Sequence, residues 1–425
     1  MTKKYKTKNR PWYGLDNAAK IFPSISSKQD TKVFRFSAYL TENINVDILN
    51  IALDKTLDMF PIYRSTLKKG LFWYYLETSD IEPIITPEQE PLCSPIYNKN
   101  IPSLLWRLTY YNNKINLEVY HALTDGTGAI TFLQRVIYEY LLIKYEKNIK
   151  GAPKFNYDAS VHQISDDSFQ KYYNNNGKKN KKKNPDAYQE TGPKYKEYRI
   201  RAITGTVSTS KLLNLAHSYH TSITILTSAL YLLAIEKEMS VRDKRKPVAL
   251  VIPINLRKYF PSLSARNFFA TFNINYKFSS DNKKIELLIA YLNSSFKEQL
   301  TIESLEPLIN SYASLEHNPI LRVIPLFIKD PVLKFVAYIT EHNTTASISN
   351  VGVITMPKEL MPYIESFTLL ISTNKHQLGI CSFADNLTLS FTTPLISSDI
   401  EKNFFKSLTA LGIDVSISTN YYEEE

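Results

Sequence analysis

The sequence predicts a mixed α/β (α+β) chain of two layered units, each a mixed sheet covered by helices. Three observations carry this. Strand-like alternation and helix-like spacing succeed one another in both halves. Several tight turns fold neighbouring strands into hairpins. One composition break, 172–196 (YYNNNGKKNKKKNPDAYQETGPKYK), is polar and rich in Lys and Asn, and it separates the two halves. The expected division is an N-terminal subdomain over 1–175, a linker or mobile loop over 176–196, and a C-terminal subdomain over 197–425.

Residues 33–41 (VFRFSAYLT) alternate and read as a strand. Over 46–60, Val46, Leu49, Leu53, Leu57 and Phe60 fall on one helical face, and Pro61 stops that helix. Residues 71–77 (LFWYYLE) read as a short aromatic strand. The five prolines of 81–103 make it extended loop. Strands 104–111 and 115–120 follow, joined through Asn112 and Asn113, because Asn tolerates the positive φ of a tight hairpin turn. Residues 129–145 contain neither Gly nor Pro and read as a long helix. Beyond the break come helices at 210–217 and 222–239, strands at 248–254 and 268–278, and a helix at 285–300. The apolar segment 319–340 is broken by Pro325 and Pro331. Strands at 348–355, 366–373 and 378–383 follow, and 387–393 pairs back across Asp385 and Asn386. A helix at 397–411 closes the chain, ended by Gly412.

Composition removes several function classes. The 425 residues suggest about two to three compact units. At 44% hydrophobic and 22% charged, the chain has enough apolar surface to offset the entropy of ordering. With only 11 glycines it holds neither a phosphate-cradling G-x-x-x-x-G-K-[ST] loop nor a G-x-G-x-x-G dinucleotide turn. Two distant cysteines, Cys93 and Cys381, supply no zinc knuckle or disulfide framework and fit a reducing compartment. The basic start, 1–13, lacks the apolar run of a secretory signal. The longest apolar stretch, 223–235, falls short of the roughly 20 residues a bilayer crossing needs. A cytoplasmic protein is expected. Much of the +10 net charge sits in Lys178, Lys179, Lys181, Lys182 and Lys183. Such a run reads as a solvated linker, and no helix sets Arg in steps beside aromatics, so no nucleic-acid partner is expected.

The sharpest chemical feature is His121-Ala122-Leu123-Thr124-Asp125-Gly126. A histidine sits where a strand ends, a carboxylate follows four residues later, then a glycine free to adopt positive φ, then a helix. Rigid elements on both sides hold the histidine, and its ordinary pKa of about 6.5 suits proton transfer near neutrality. A lone histidine of this kind also serves simply to cap a turn. His217 and His220, at i and i+3, have a metal-ligand spacing but no further ligand, so they read as ordinary histidines. The aromatic clusters Phe72–Tyr75 and Phe268–Phe269 read as packing.

H-x-x-x-D-G between a strand and a long helix resembles the signature of the CoA-dependent acyltransferase superfamily. That superfamily includes chloramphenicol acetyltransferase, BAHD-type plant enzymes, peptide condensation domains and alcohol acetyltransferases. Three further stretches resemble it in the same order. They are Phe60-Pro61-Ile62-Tyr63-Arg64; Pro253-Ile254-Asn255-Leu256-Arg257 with Pro261 and Arg266-Asn267-Phe268; and Ser349-Asn350-Val351-Gly352. Arg266 stands where the family often has Gly. The plant D-F-G-W-G motif is absent, and Tyr120 replaces the first histidine of the condensation motif, which favours a stand-alone acyltransferase.

The resemblance implies two chloramphenicol-acetyltransferase-like subdomains with an active-site tunnel between them. It implies His121 as general base, deprotonating an alcohol or amine that attacks an acyl thioester directly, with no acyl-enzyme. Asp125 would shape the histidine turn by pairing with Arg64, and Gly126 would keep that turn open. Arg257, Asn267, Ser349 and Asn350 would line or brace the tunnel, with Ser349 or Asn350 as oxyanion donor. No bound cofactor or metal is implied. Acyl-CoA would be the co-substrate, or an acyl carrier protein would deliver the donor, and the acceptor would be a small alcohol, an amine or a lipid. Two other readings stand beside it: a non-catalytic, carrier-docking binding protein, and a membrane-surface protein using the lysine run and the apolar segment 321–338, which reads by default as a core helix and otherwise as a surface for peripheral membrane contact.

Overall fold

A computed structural model describes residues 11–149, 151, 153–155, 161–175, 177, 184–196, 199–279 and 281–420. The first sheet is built on Val33–Leu40, an interior strand whose side chains are buried on both faces. Its antiparallel neighbour Lys114–Tyr120 forms the predicted hairpin with Trp106–Tyr111, and Asn112 adopts φ 50° at the turn. Helix Val46–Met59 starts on Asn45, whose side chain accepts from the Asp47 and Ile48 amides. It packs against helix Gly126–Lys144, which lies over this sheet.

The second sheet has seven strands in the order Phe269–Tyr276, Val248–Asn255, Ala346–Val353, His376–Phe383, Asn386–Thr393, Arg201–Ser208 and Ser416–Thr419. It is mixed: Ala346–Val353 runs parallel to both neighbours, and the remaining pairs are antiparallel. Helix Ile223–Glu238, apolar almost all round, is the buried centre of its helical cover, between Ile285–Gln299 and Asp399–Ala410. Gly412 lies just past the last helix at φ 82°, as its place in the sequence predicts. Among the described residues no single helix is long and apolar enough to cross a membrane.

The two halves are interleaved. Strand Ile364–Ile371 belongs by sequence to the second half, yet it pairs antiparallel with Val33–Leu40 and completes the first sheet. Ile354, Leu360, Phe367 and Leu369 join the first hydrophobic core rather than the second. A cut at 176–196 therefore does not separate the two sheets. In that segment Ala187 and Tyr188 are buried, and the Tyr188 amide donates to Pro247 O at 2.8 Å. The lysine run of 178–183 lies outside the described residues.

Four elements depart from the local reading of the sequence. Strand Arg201–Ser208 lies inside the second sheet, next to its edge strand, although its sequence, RAITGTVS, carries little apolar alternation. Its Gly205 leaves room for Phe405 of the closing helix, which an added Cβ would meet at 2.3 Å. The predicted 71–77 strand begins only at Tyr74, because Leu71 and Phe72 form the exposed turn of a hairpin with Ser65–Lys69. A helix at Ile302–His317 accommodates Pro307, and Pro331 likewise lies inside helix Leu326–Glu341.

Candidate functional site

Strand Lys114–Tyr120 delivers His121 to the space between the two sheets. The His121 amide donates to Lys32 O (2.8 Å) and the Leu123 amide to Tyr120 O (2.9 Å), which fixes the turn. Asp125 is the N-cap of the following helix: its Oδ1 accepts from the Gly128 amide at 3.0 Å. Its Oδ2 accepts from Arg257 Nη1 at 2.7 Å and from the Phe268 amide at 2.8 Å. The carboxylate thus ties the histidine turn to the second half of the chain.

The partner of Asp125 is therefore Arg257, not Arg64. Arg64 ends the short turn Pro61–Arg64, is partly exposed, and lies 3.6 Å from Glu82 on the surface. Arg257 follows strand Val248–Asn255, and its guanidinium also donates to Ser264 O and Arg266 O. One side chain braces both the loop 264–268 and the histidine turn.

Asn267, on that loop, orients the imidazole. Its Nδ2 donates to Asp16 Oδ2 and to His121 O, both at 3.1 Å, so its Oδ1 is the atom facing His121 Nδ1 at 3.0 Å. This pattern assigns the proton to Nδ1 and leaves Nε2 as the basic nitrogen. Phe22, Phe34 and Phe269 surround the ring at centroid distances of 4.8, 5.0 and 5.4 Å. Burial pushes the His121 pKa below 6.5, against the opposing pull of the Asp125 charge. The imidazole is thereby kept neutral, the form that accepts a proton. Asp16, buried behind Asn267, is pushed up to about 6 by burial, with Arg266 acting against the shift.

Gly126 is not in the left-handed region, and a Cβ there would sit 3.9 Å from Phe36 and Val351. Its small size borders the cavity, and its backbone freedom is not used. Gly128 has the strict requirement instead: a Cβ would lie 2.0 Å from Ala265 O and 2.1 Å from Thr124 Oγ1. Asp16 and Gly128 carry no motif signal; only the closeness of the helix start to the 265 loop reveals the glycine.

His121 lines a cavity of about 520 Å³ whose walls come from both sheets, including Phe34, Val251, Phe269, Ser349, Val351 and Leu369. Asn255 Nδ2 donates to Thr127 Oγ1 (3.0 Å) across its floor. Strand Ala346–Val353 bulges between Asn350 and Gly352, with Gly352 at φ 87°. Asn350 is occupied in this bulge: its Oδ1 accepts from the Gly352 amide and its Nδ2 donates to Thr224 Oγ1, both at 2.8 Å. Ser349 lines the cavity, and no hydrogen bond among the described residues engages its hydroxyl.

The other candidates lie apart. Helix Thr209–Ser218 ends before His220, which sits at φ 51°, so His217 and His220 do not share a helical face. Among the described residues no group of three or more His, Cys, Asp or Glu is placed to hold a metal. Cys93 and Cys381 are buried, and burial raises both thiol pKa values, Cys381 to about 12, so neither offers a thiolate near neutrality.

No family model matches the sequence, and no curated protein does. Solved structures do. Polyketide synthase associated protein 5 from Mycobacterium tuberculosis superposes with a TM-score of 0.58 at 15% identity, over 94% of this chain and 97% of that one. Trichothecene 15-O-acetyltransferase from Fusarium sporotrichioides gives 0.55 at 12%, over 96% of each chain. The starter condensation domain of rhizomide synthetase, as a mutant in complex with C8-CoA and Leu-SNAC, gives 0.61 at 11%, over 94% of each. Across nearly its whole length, the chain has the two-subdomain α/β fold of the CoA-dependent acyltransferases and condensation domains.

Proposed function

We propose that the protein transfers an acyl group from an acyl thioester, acyl-CoA in the first instance, to an alcohol or amine. The supporting observation is a buried histidine, fixed through Nδ1 by Asn267, on the wall of a cavity formed by both sheets. Nε2 takes the acceptor proton as the acceptor oxygen or nitrogen bonds to the thioester carbonyl carbon. The carbonyl pair moves onto oxygen, giving an oxyanion. Collapse re-forms the carbonyl and breaks the carbon–sulfur bond, and the imidazolium returns its proton to the departing thiolate. No acyl-enzyme is needed, in keeping with two buried, unionised cysteines. Ser349 is the better oxyanion donor of the predicted pair, because Asn350 is engaged in the bulge. Lys258 lines the cavity and is suited to the diphosphate of CoA. Asp125 and Arg257 hold the turn that presents His121. The acceptor is an alcohol, an amine or a lipid that fits this cavity, and the setting is cytoplasmic.

The test is free-thiol release from acetyl-CoA and longer acyl-CoAs over a panel of alcohols and amines, for wild type and His121→Ala. Release that falls by about two decades or more in the variant is expected from loss of a general base. Equal release in both would make His121 structural and remove the mechanism. Release only when an acyl carrier protein replaces CoA would keep the chemistry and change the donor.

A further inference from the structure

Helix Leu326–Glu341 is seated the wrong way round for a soluble protein. The side chains it buries at its start are Leu326, Lys329 and Asp330. Asp330 accepts from Ser24 Oγ (2.7 Å) and Tyr74 OH (2.9 Å), and Lys329 Nζ donates to Phe72 O (2.9 Å) over the face of Trp73. With these polar anchors inward, the apolar residues face out: Phe327, Val332, Phe335, Val336, Tyr338 and Ile339 are each about half exposed or more. The patch continues onto the neighbouring hairpin turn, where Leu71 and Phe72 are exposed and Leu71 O accepts from the Leu326 amide at 2.9 Å. Such a contiguous apolar surface marks an interaction site.

Charge points to what covers it. The exposed charged residues of 319–341 are Arg322 and Lys334, both cations, while Asp330 is buried and Glu341, at the helix end, is half-buried and held by Asn374. Lys69, also exposed, stands beside the Leu71–Phe72 turn. A second copy of this face would bring those cations together. We infer that helix Leu326–Glu341 and the 71–72 turn dock on an anionic lipid bilayer, with the aromatic and aliphatic side chains in the headgroup boundary and the cations against lipid phosphates. The helix rests on the short helix Phe22–Ile25, whose Phe22 packs on His121, so docking sets the cavity close to the lipid surface. The inference does not rest on acyl transfer, because membrane binding is read without turnover.

The test is sedimentation with vesicles of phosphatidylcholine containing phosphatidylglycerol, and with phosphatidylcholine alone, for the full chain and for Phe327→Ser/Phe335→Ser/Tyr338→Ser. These residues are exposed, so the variant should keep its melting curve. Wild type is expected to bind the anionic vesicles, more weakly at high salt, and the triple variant to bind about tenfold or more weakly from lost apolar insertion. Lys334→Glu should weaken binding to anionic vesicles alone. Wild type remaining in the supernatant, or a triple variant that binds as well as wild type, would overturn the inference. So would a wild-type dimer that the triple variant splits while vesicles are ignored, which would assign the face to self-association.

Discussion

Replacing Arg257 by Ala tests the junction on which the whole site depends. The Arg257–Asp125 pair is buried, with 10% and 6% side-chain exposure, and its bond is 2.7 Å. Without the guanidinium, Asp125 keeps only the Gly128 and Phe268 amides, and the carbonyls of Ser264 and Arg266 lose donors. Removing one partner of a buried pair costs about 3–5 kcal/mol. Arg64→Ala is the matched control, since Arg64 and Glu82 are 29% and 78% exposed and their bridge is 3.6 Å. A surface pair of this kind contributes about 0–1 kcal/mol. The gap between the two variants should therefore be at least about 2 kcal/mol. Urea unfolding followed by circular dichroism and tryptophan fluorescence measures it; because each half has its own core, the two probes are fitted separately where they diverge. Adding Asp125→Asn to Arg257→Ala should recover part of the loss, since the uncompensated charge is then gone. An Arg257→Ala protein within about 1 kcal/mol of wild type would refute the claim that this pair holds the halves together.

Three further outcomes follow from the same geometry. Gly128→Ala should destabilise far more than Gly126→Ala in thermal melts, because its Cβ meets backbone at 2.0 Å and the other meets side chains at 3.9 Å; equal melting points would contradict that. Asn267→Ala should lower kcat with little change in KM by releasing the imidazole tautomer, while Asn267→Asp, which still accepts from Nδ1–H, should raise the acid limb of the pH profile by adding a negative charge; an unchanged profile and kcat would remove Asn267 from the site. In wild type, the acid limb of kcat/KM should fall below 6.5, because burial lowers the His121 pKa. The same shift means the unfolded chain binds more protons in that window, so His121's contribution to stability is present above pH 6.5 and lost as pH falls toward its folded pKa; a limb above pH 7 in the rate profile would assign the titration elsewhere.

Local signals reached most of the fold. Val33–Leu40, Val46–Met59 and the hairpin through Asn112 were legible because periodicity, a cap and a turn residue all agree there. Arg201–Ser208 was not, since its burial comes from strands 386–393 and 416–419 and from Phe405, which a window of eight residues does not contain. Pro331 reads as a breaker, but its helix continues because Lys329 and Asp330 are pinned by distant partners.

The site divides along the same line. His121 and Asp125 follow from one short motif, because the turn that presents them is local. Their partners do not: Asn267 lies 146 residues from His121 and Arg257 lies 132 from Asp125. The resemblance offers both Arg64 and Arg257 as motif arginines, and choosing Arg257 requires knowing that strand Val248–Asn255 ends opposite the histidine turn. The consequence is physical as well as interpretive. The histidine's tautomer and the turn's shape are both set by loop 264–268, so His121 has this orientation only when the second sheet is docked on the first. Any change that loosens this docking, even far from the cavity, should lower activity before it unfolds either core.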